Sequence, residues 1–260
     1  MAMPMMRRDS ILRVLTLTLI LIAAGIDARA DQFDSVRQQE YEDCMTLARR
    51  VPADGYESAL AWQGQGGGDP ARHCAAVALI GMGKFKEAAE RLESLGGAMA
   101  QRQPALAAGA FAQAGQAWTM AGETRRALDA AGAGLKLTPD DADLLLDRAI
   151  AFATLGDFAA AIADLDKAHT LAPERADVLV YRASAWRFRK DLTKARADID
   201  AALALEADNA EALLERGNIR RLTSDMAGAR QDWLQVVEIA GGTPAADAAK
   251  ANLEKLDVNP

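Results

Sequence analysis

The sequence predicts an all-α fold in which pairs of antiparallel helices stack side by side. The main observation is a repeat: residues 142–175 and 176–209 align without a gap. A period of 34 residues with two helical segments in each unit is typical of a stacked helical array. Composition agrees, because aromatic residues make up only 5% of the chain, and small side chains let helices pack closely. The aligned identities include Asp143 with Asp177, Leu145 with Leu179, Arg148 with Arg182, Asp157 with Asp191, Asp164 with Asp198, and Leu171 with Leu205.

The N-terminal segment has the pattern of a secretory signal. Arg7-Arg8 precedes an apolar run over Val14–Ile26, and Ala28–Ala30 supplies a small-x-small motif. This run is shorter than the roughly 20 residues that cross a bilayer, which favours cleavage over retention as a membrane anchor. We therefore expect residues 1–30 to be removed after Ala30, leaving a periplasmic or secreted chain without a membrane span.

The two cysteines, Cys44 and Cys74, both lie in the expected mature chain. Disulfides form and persist in exported proteins, so a bridge between Cys44 and Cys74 is the favoured prediction. The alternative is a pair of buried reduced thiols, because free cysteine is also a common core residue.

Residues 31–68 are predicted to form a degenerate first helix pair. The apolar spacing predicts a helix over Phe33–Arg50, and the segment Val51–Gly55 is interpreted as its end. A short helix over Tyr56–Trp62 follows, and the glycine-rich segment Gly64–Gly68 then interrupts the chain.

Residues 69–243 are predicted to contain five repeats, interrupted once by an irregular insert over Gly96–Pro104. Residues 244–260 are predicted to form a tail and a helix, over Pro244–Leu256, which covers the last apolar face of the array. The predicted repeats are residues 69–102, 108–141, 142–175, 176–209 and 210–243.

The turn between the two helices of a unit has a recurring cap pattern. Gly156 is placed to end the first helix in the left-handed conformation, and Asp157 is placed to cap the second. Lys190 and Ser224 occupy the glycine position in later units. The cap is therefore expected to persist where the glycine does not.

The small and large residues of these units resemble the pattern of tetratricopeptide repeats, here of an exported bacterial type. In one unit the pattern falls on Leu145, Ala149, Phe152, Ala161, Leu165, Ala168 and Pro173. Arg220 and Gly241 depart from it, where the family usually has an aromatic residue and a proline. The resemblance implies a right-handed superhelical solenoid. Its inner face, lined by the first helix of each pair, is where partner segments usually lie in this family.

The resemblance also implies candidate contact residues on the inner face. Arg187, Phe188, Arg220 and Arg221 cluster near that groove. They form either a basic patch that attracts an acidic peptide or carboxylate, or a solvated rim. The candidate contact residues are Gln116, Ile150, Tyr181, Ser184, Arg187, Phe188, Asn218 and Arg221.

An arginine and an aspartate recur together in three units. Where the unit of residues 108–141 has Ala114 in place of the arginine, it also has Ala130 in place of the aspartate. Loss of both partners together indicates an ion pair between the two helices of a unit. The alternative is a set of unrelated solvated charges. The predicted pairs are Arg148 with Asp164, Arg182 with Asp198, and Arg216 with Asp232.

The residue patterns do not support catalysis, metal binding or a cofactor. His73 and Cys74 are neighbours on a helix, where adjacent side chains point about 100° apart and do not readily meet. The glycine run Gly64–Gly68 has no preceding strand, so it does not predict a dinucleotide site. The formal net charge of −7 disfavours nucleic acid as a partner, because phosphate binding needs a basic face.

The sequence therefore predicts a non-enzymatic protein–protein interaction scaffold of the cell envelope, which binds a partner protein or extended peptide along its inner face. The alternative is an accessory or substrate-binding subunit of an envelope enzyme, holding glycan or peptidoglycan peptide. A stacked aromatic platform in the groove would favour that alternative, with Tyr181 and Phe188 as the candidates.

Overall fold

The computed structural model describes residues 36–258, and this range consists of helices joined by turns, with no strand. The predicted signal peptide lies outside the described residues. The chain divides into two compact units, residues 1–84 and 85–260, so the division falls inside the predicted repeat of residues 69–102. Within residues 36–258, no helix combines the length and apolarity that crossing a bilayer requires.

The first unit contains three described helices: α1 over residues 36–50, α2 over Pro52–Gly64 and α3 over Gly68–Gly81. A disulfide joins Cys44 of α1 to Cys74 of α3, with Cα atoms 6.2 Å apart, which confirms the predicted bridge. Both cysteines lie in a buried cluster with apolar side chains from all three helices.

Helix α2 begins earlier than the sequence predicts. The segment Val51–Gly55 is not a break, because Pro52 opens α2 and Gly55 lies buried within it. A Cβ on Gly55 would lie 2.4 Å from the Ala48 Cα, so this glycine allows α2 to cross α1 closely. Proline in the first turn costs the helix no hydrogen bond, which explains why it starts at Pro52.

The second unit contains ten helices, which follow one another in antiparallel order. Helices α5 and α6, α7 and α8, α9 and α10, and α11 and α12 form four pairs, and α13 packs on α11 and α12. The helices are α4 (Phe85–Met99), α5 (Pro104–Met120), α6 (Thr124–Leu137), α7 (Ala142–Thr154), α8 (Phe158–Leu171), α9 (Ala176–Phe188), α10 (Leu192–Leu205), α11 (Ala210–Leu222), α12 (Met226–Ile239) and α13 (Pro244–Val258).

The predicted irregular insert over Gly96–Pro104 is mostly helical, so this prediction was wrong in its extent. Helix α4 continues through Gly96 to Met99, and α5 begins at Pro104. Gly96 is buried against Phe111, and a Cβ there would lie 3.0 Å from the ring. The glycine serves close packing of α4 on α5 and does not end the helix.

The turns between paired helices share one backbone geometry. Gly156 has φ of 84°, and the corresponding Lys190 and Ser224 have φ of 65° and 67°. At each turn the next residue donates its N–H to a carbonyl five residues earlier, as in Asp157 to Phe152, which defines a Schellman motif. The carboxylates of Asp157, Asp191 and Asp225 then accept the backbone N–H three residues on, which caps the second helix.

Side-chain size is complementary where the two helices of a pair cross. Trp233 is fully buried on α12, and it faces Gly217 of α11. A Cβ on Gly217 would lie 2.4 Å from Trp233 Nε1, so any larger residue would displace the indole. In the preceding pair the corresponding residues are Ala183 and Ile199, which are intermediate in size and also buried.

Each predicted arginine and aspartate pair meets between the two helices of its unit. Arg182 donates to both carboxylate oxygens of Asp198, through Nε at 2.9 Å and Nη2 at 2.7 Å. The side chains are 14% and 11% exposed, so the pair is largely removed from water. The same two-bond arrangement joins Arg148 to Asp164 and Arg216 to Asp232.

The last pair adds a second arginine to this arrangement. Arg220 lies where the earlier units have an aromatic residue, and its Nη1 lies 2.8 Å from Asp232. It also donates to the carbonyl of Gly228 at 3.1 Å. Asp232 is 1% exposed and is held by Arg216 and Arg220 together.

Candidate partner-binding face

The candidate site is the face formed by the first helices of the four pairs, α5, α7, α9 and α11. Each of these helices contacts the first helix of the next pair, and α11 also contacts α13. We call this surface the inner face. It is defined by Gln116 on α5, Asp147 and Ile150 on α7, Asp177, Tyr181, Ser184 and Arg187 on α9, and Glu211, Glu215, Asn218 and Arg221 on α11.

The eight predicted contact residues differ in their exposure to solvent. Tyr181 and Phe188 are the large apolar side chains among them that protrude, at 44% and 54% exposed. Gln116 and Arg221 are also exposed. The half-buried members are Ile150, Ser184, Arg187 and Asn218.

Hydrogen bonds between neighbouring first helices hold several of these side chains in place. Gln116 Nε2 donates to Asp147 Oδ2 at 3.3 Å, which links α5 to α7. Arg187 Nε donates to Glu215 Oε1 at 2.5 Å, which links α9 to α11. These side chains are already oriented before any binding partner arrives. Less conformational entropy is therefore lost on binding.

The same network continues to the end of the array. Asn218 Nδ2 donates to Glu215 Oε2 at 3.2 Å, and Asn252 Nδ2 of α13 donates to Asn218 Oδ1 at 3.0 Å. The Asn218 side chain is therefore fixed from both sides. It presents a defined polar surface between α11 and α13.

The inner face is acidic around Tyr181, a feature that was not among the sequence-based predictions. Burial raises the pKa of the Tyr181 hydroxyl above its usual value. Three carboxylates around the ring raise the pKa further, those of Asp177, Glu211 and Asp147. The repeat register could have indicated this acidic surface, because acidic residues recur at the second and sixth positions of these first helices.

Two of these carboxylates have opposite electrostatic environments. Burial raises the pKa of Asp147, and the Gln116 hydrogen bond only partly offsets this. The hydrogen bonds from Arg175 lower the pKa of Asp177, because a guanidinium stabilises the charged carboxylate. No cation of the described residues lies within ion-pair distance of the Asp147 carboxylate.

The predicted basic patch does not form as a free surface. Arg187 is neutralised by Glu215, whose side chain is 8% exposed. Arg220 is turned toward Asp232. Only Arg221 of the three remains an exposed cation. The reason is local pairing, because each of the other two arginines reaches a buried carboxylate on the neighbouring helix.

Phe188 does not form an aromatic platform with Tyr181. Its ring stacks on Phe158 of α8, with centroids 4.8 Å apart and planes 2° from parallel. The Arg187 guanidinium lies 4.4 Å from the Phe188 centroid. Among the described residues, no ring contact joins Phe188 to Tyr181.

The structure also shows the contacts of the two side chains that the sequence offered as catalytic candidates, His73 and Cys74. Cys74 is in the disulfide, so it is not a free nucleophile. His73 Nδ1 lies 2.7 Å from the Tyr41 hydroxyl. Residues 36–258 contain no cluster of three or more histidine, cysteine or acidic residues able to hold a metal ion.

Comparison with known families identifies the repeats. Residues 120–185 match one tetratricopeptide repeat model, and residues 182–247 match a second. The chain therefore carries tetratricopeptide repeats over residues 120–247. No curated protein sequence matches the chain significantly.

Solved structures share the fold at low sequence identity. PilF of Pseudomonas aeruginosa is 16% identical with a TM-score of 0.62, and the match covers 83% of this chain and 99% of PilF. The C-terminal part of a TPR repeat-containing protein from Cytophaga hutchinsonii is 16% identical with a TM-score of 0.60, over 85% of this chain and 96% of that one. YrrB is 16% identical with a TM-score of 0.53, over 74% and 96%. At these identities the comparisons establish the all-α solenoid fold.

Proposed function

We propose that this protein is a non-enzymatic scaffold that binds a partner protein, through an extended segment, along the inner face. The observation that carries this proposal is the surface around Tyr181. An aromatic ring is half exposed there among carboxylates, beside side chains that hydrogen bonds between helices already orient. A rigid surface of this kind binds without rearranging its own backbone.

The charge of this surface favours a basic segment as the occupant. Asp147 and Glu211 lie near Tyr181, and neither forms an ion pair with a described residue. A lysine or arginine side chain over the Tyr181 ring would be attracted by the ring and by the carboxylates together. This reverses the polarity that the arginines of the sequence suggested.

We also propose that the protein acts in the cell envelope and is of an exported bacterial type. The signal-like pattern of residues 1–30 supports this location, and so does the Cys44–Cys74 disulfide. The partner would then be another envelope protein. YrrB, which shares the fold, is described as a TPR protein with an unusual peptide-binding site, and this supports peptide binding on a stack of this kind.

The alternative, an accessory subunit that holds glycan or peptidoglycan peptide, needs an aromatic platform in the groove. The structure stacks Phe188 on Phe158 of α8 instead, so the two candidate rings, Tyr181 and Phe188, do not form one platform. We therefore favour the protein segment as the occupant.

Site-specific crosslinking in intact cells tests the proposal. A photoreactive phenylalanine analogue replaces Tyr181 in one strain and Leu234, an exposed residue of α12, in a control strain. We expect a crosslinked partner at Tyr181 and not at Leu234, and mass spectrometry should place the crosslink in a segment rich in lysine or arginine.

Charge-neutralising variants make the test specific. Asp147→Asn combined with Glu211→Gln should lower the crosslink yield roughly tenfold, because both carboxylates that attract the cation are lost. The matched control, Glu238→Gln on α12, should leave the yield unchanged. The proposal fails if the same products form at Tyr181 and Leu234, or if neutralisation has no effect.

A further inference from the structure

A second surface feature lies away from the inner face, between helices α6, α7 and α8. It is a cleft of about 450 Å³, a size typical of small-ligand sites. None of the inner-face residues lines it. Leu128, Leu135, Leu145 and Phe152 form the apolar part of its lining, and Arg148 and Gly132 also line it.

Arg148 has unused hydrogen-bonding capacity in this cleft. Its Nε and Nη2 both donate to Asp164 at 2.7 Å. Its Nη1 has no acceptor among the described residues, although the side chain is only 29% exposed.

In the next repeat, the corresponding arginine has an acceptor for its Nη1. Arg182 is the counterpart of Arg148, and its Nη1 donates at 2.9 Å to Asp166 of α8, in the preceding pair. One repeat earlier, the residue that corresponds to Asp166 is Gly132 of α6. The repeat therefore supplies a carboxylate to Arg182 and omits it at Arg148.

The cleft holds charged side chains of both signs. Lys136, Arg148 and Lys167 line it, together with Asp129 and Asp164, and Asp140 pairs with Lys167, so the cations and carboxylates balance. Lys167 is already 2.9 Å from Asp140, so Arg148 Nη1 and Lys136 are the groups that face a ligand. Asp164 is neutralised by Arg148, but Asp129 forms no ion pair with a described residue, and its carboxylate disfavours a doubly charged phosphate.

We propose that this cleft binds a carboxylate carried on a small apolar group, with the carboxylate taking the place that Asp166 takes beside Arg182. Arg148 Nη1 donates to the ligand, Lys136 adds charge, and the leucine side chains with Phe152 cover its apolar part. This chemistry has two possible sources. One is a free organic acid, and the other is the C-terminal carboxylate of a peptide that ends in an apolar residue.

Calorimetric titration of the purified full chain tests this inference with defined probes. The probes are 3-phenylpropionate and the tripeptide Ala-Ala-Leu, each compared with its uncharged amide. We expect at least one acid to bind with a millimolar or lower dissociation constant and its amide to bind at least about tenfold more weakly, because the charge-assisted hydrogen bond is lost. The acid that binds identifies the source.

Substitution of Gly132 supplies the matched pair of variants. A Cβ at Gly132 meets no atom within 4 Å, so both Gly132→Ala and Gly132→Asp fit the helix. Gly132→Asp restores the missing carboxylate, so it should abolish acid binding and raise the melting temperature above that of Gly132→Ala. Gly132→Ala should bind the acid as the unmodified chain does.

Several outcomes would overturn the inference. These are no binding of either acid at millimolar concentration, equal binding of acid and amide, and equal binding by the two Gly132 variants. Tighter binding of inorganic phosphate than of either acid would also contradict it, because the cleft would then not favour a carboxylate on an apolar group.

Discussion

At the scale of single residues, the arginine and aspartate pairs are the feature that the sequence predicted best. Their prediction rested on one comparison, since Ala114 and Ala130 replace both partners in the same unit. Both alanines are buried. The two positions therefore hold either an ion pair or two small apolar side chains. A lone charge at either position would lie unpaired in the core, which is strongly unfavourable.

Substituting one partner of a pair should therefore lower the free energy of unfolding more than substituting both partners. Arg182→Ala should lower the free energy of unfolding by about 3 kcal/mol, because Asp198 is left as an unpaired charge at 11% exposure. Arg182→Ala combined with Asp198→Ala should recover part of that loss. Urea unfolding of the single and double variants measures both values.

An exposed pair provides the control for this cycle. Arg196 and Asp200 are 74% and 60% exposed, and Arg196→Ala should change stability by no more than about 0.5 kcal/mol. Simple additivity of Arg182→Ala and Asp198→Ala would show that the two side chains do not act as a pair.

The acidic surface around Tyr181 was not predictable in the same way. Asp147, Tyr181 and Glu211 lie on three helices, and none of them pairs within its own unit. The polarity of the face depends on which arginines are already neutralised, and that follows from contacts such as Arg187 with Glu215. Sequence spacing locates the face, but it does not assign the partners of each charge.

At the scale of helices, most boundaries follow from the caps, and the errors come from glycine. Gly55 and Gly96 were interpreted as helix ends, but each lies inside a helix at a close contact with Ala48 or Phe111. In the sequence, a glycine that ends a helix and one that admits a neighbour look the same. Only the packing of the second helix distinguishes them.

The left-handed turn residues are a weak point of two helix pairs. Lys190 and Ser224 adopt a conformation that costs a residue with a Cβ roughly 1–2 kcal/mol, whereas glycine adopts it freely. Lys190→Gly and Ser224→Gly should each stabilise the protein by about 1 kcal/mol in urea unfolding. Gly156→Ala should have the opposite effect.

A glycine placed elsewhere in the same helix pair separates this effect from general helix weakening. Ala197→Gly, at an exposed position within α10, should destabilise the protein by about 1 kcal/mol. Equal losses for Lys190→Gly and Ala197→Gly would mean that the positive φ of Lys190 stores no strain.

At the scale of the whole molecule, the two compact units depend on different stabilising features. The described part of the first unit is three helices with a small core and one disulfide. The second unit has a continuous series of buried clusters along its ten helices. The repeat alignment predicted one run of units over residues 69–243, and it did not predict the division after residue 84.

Reduction of the disulfide should therefore affect the first unit selectively. The bridge spans 30 residues, and its loss should destabilise the first unit by ~3–4 kcal/mol through the entropy regained by the unfolded chain. Hydrogen exchange followed by mass spectrometry should show lost protection in residues 36–84 and little change in α5 to α12. Cys44→Ser combined with Cys74→Ser should reproduce the effect. Uniform loss of protection along the chain would contradict this expectation.

The close fit of Gly217 to Trp233 affects which helices of this repetitive chain can pair during folding. One competing arrangement during folding would place α9 on α12 in the position of α11. In that arrangement the Ala183 methyl would occupy the space of the Trp233 indole, since even a single Cβ at the glycine position would lie 2.4 Å from Nε1. Meanwhile Gly217 opposite Ile199 would leave a void. The fit of side-chain sizes therefore disfavours an exchange of partners between the last two helix pairs.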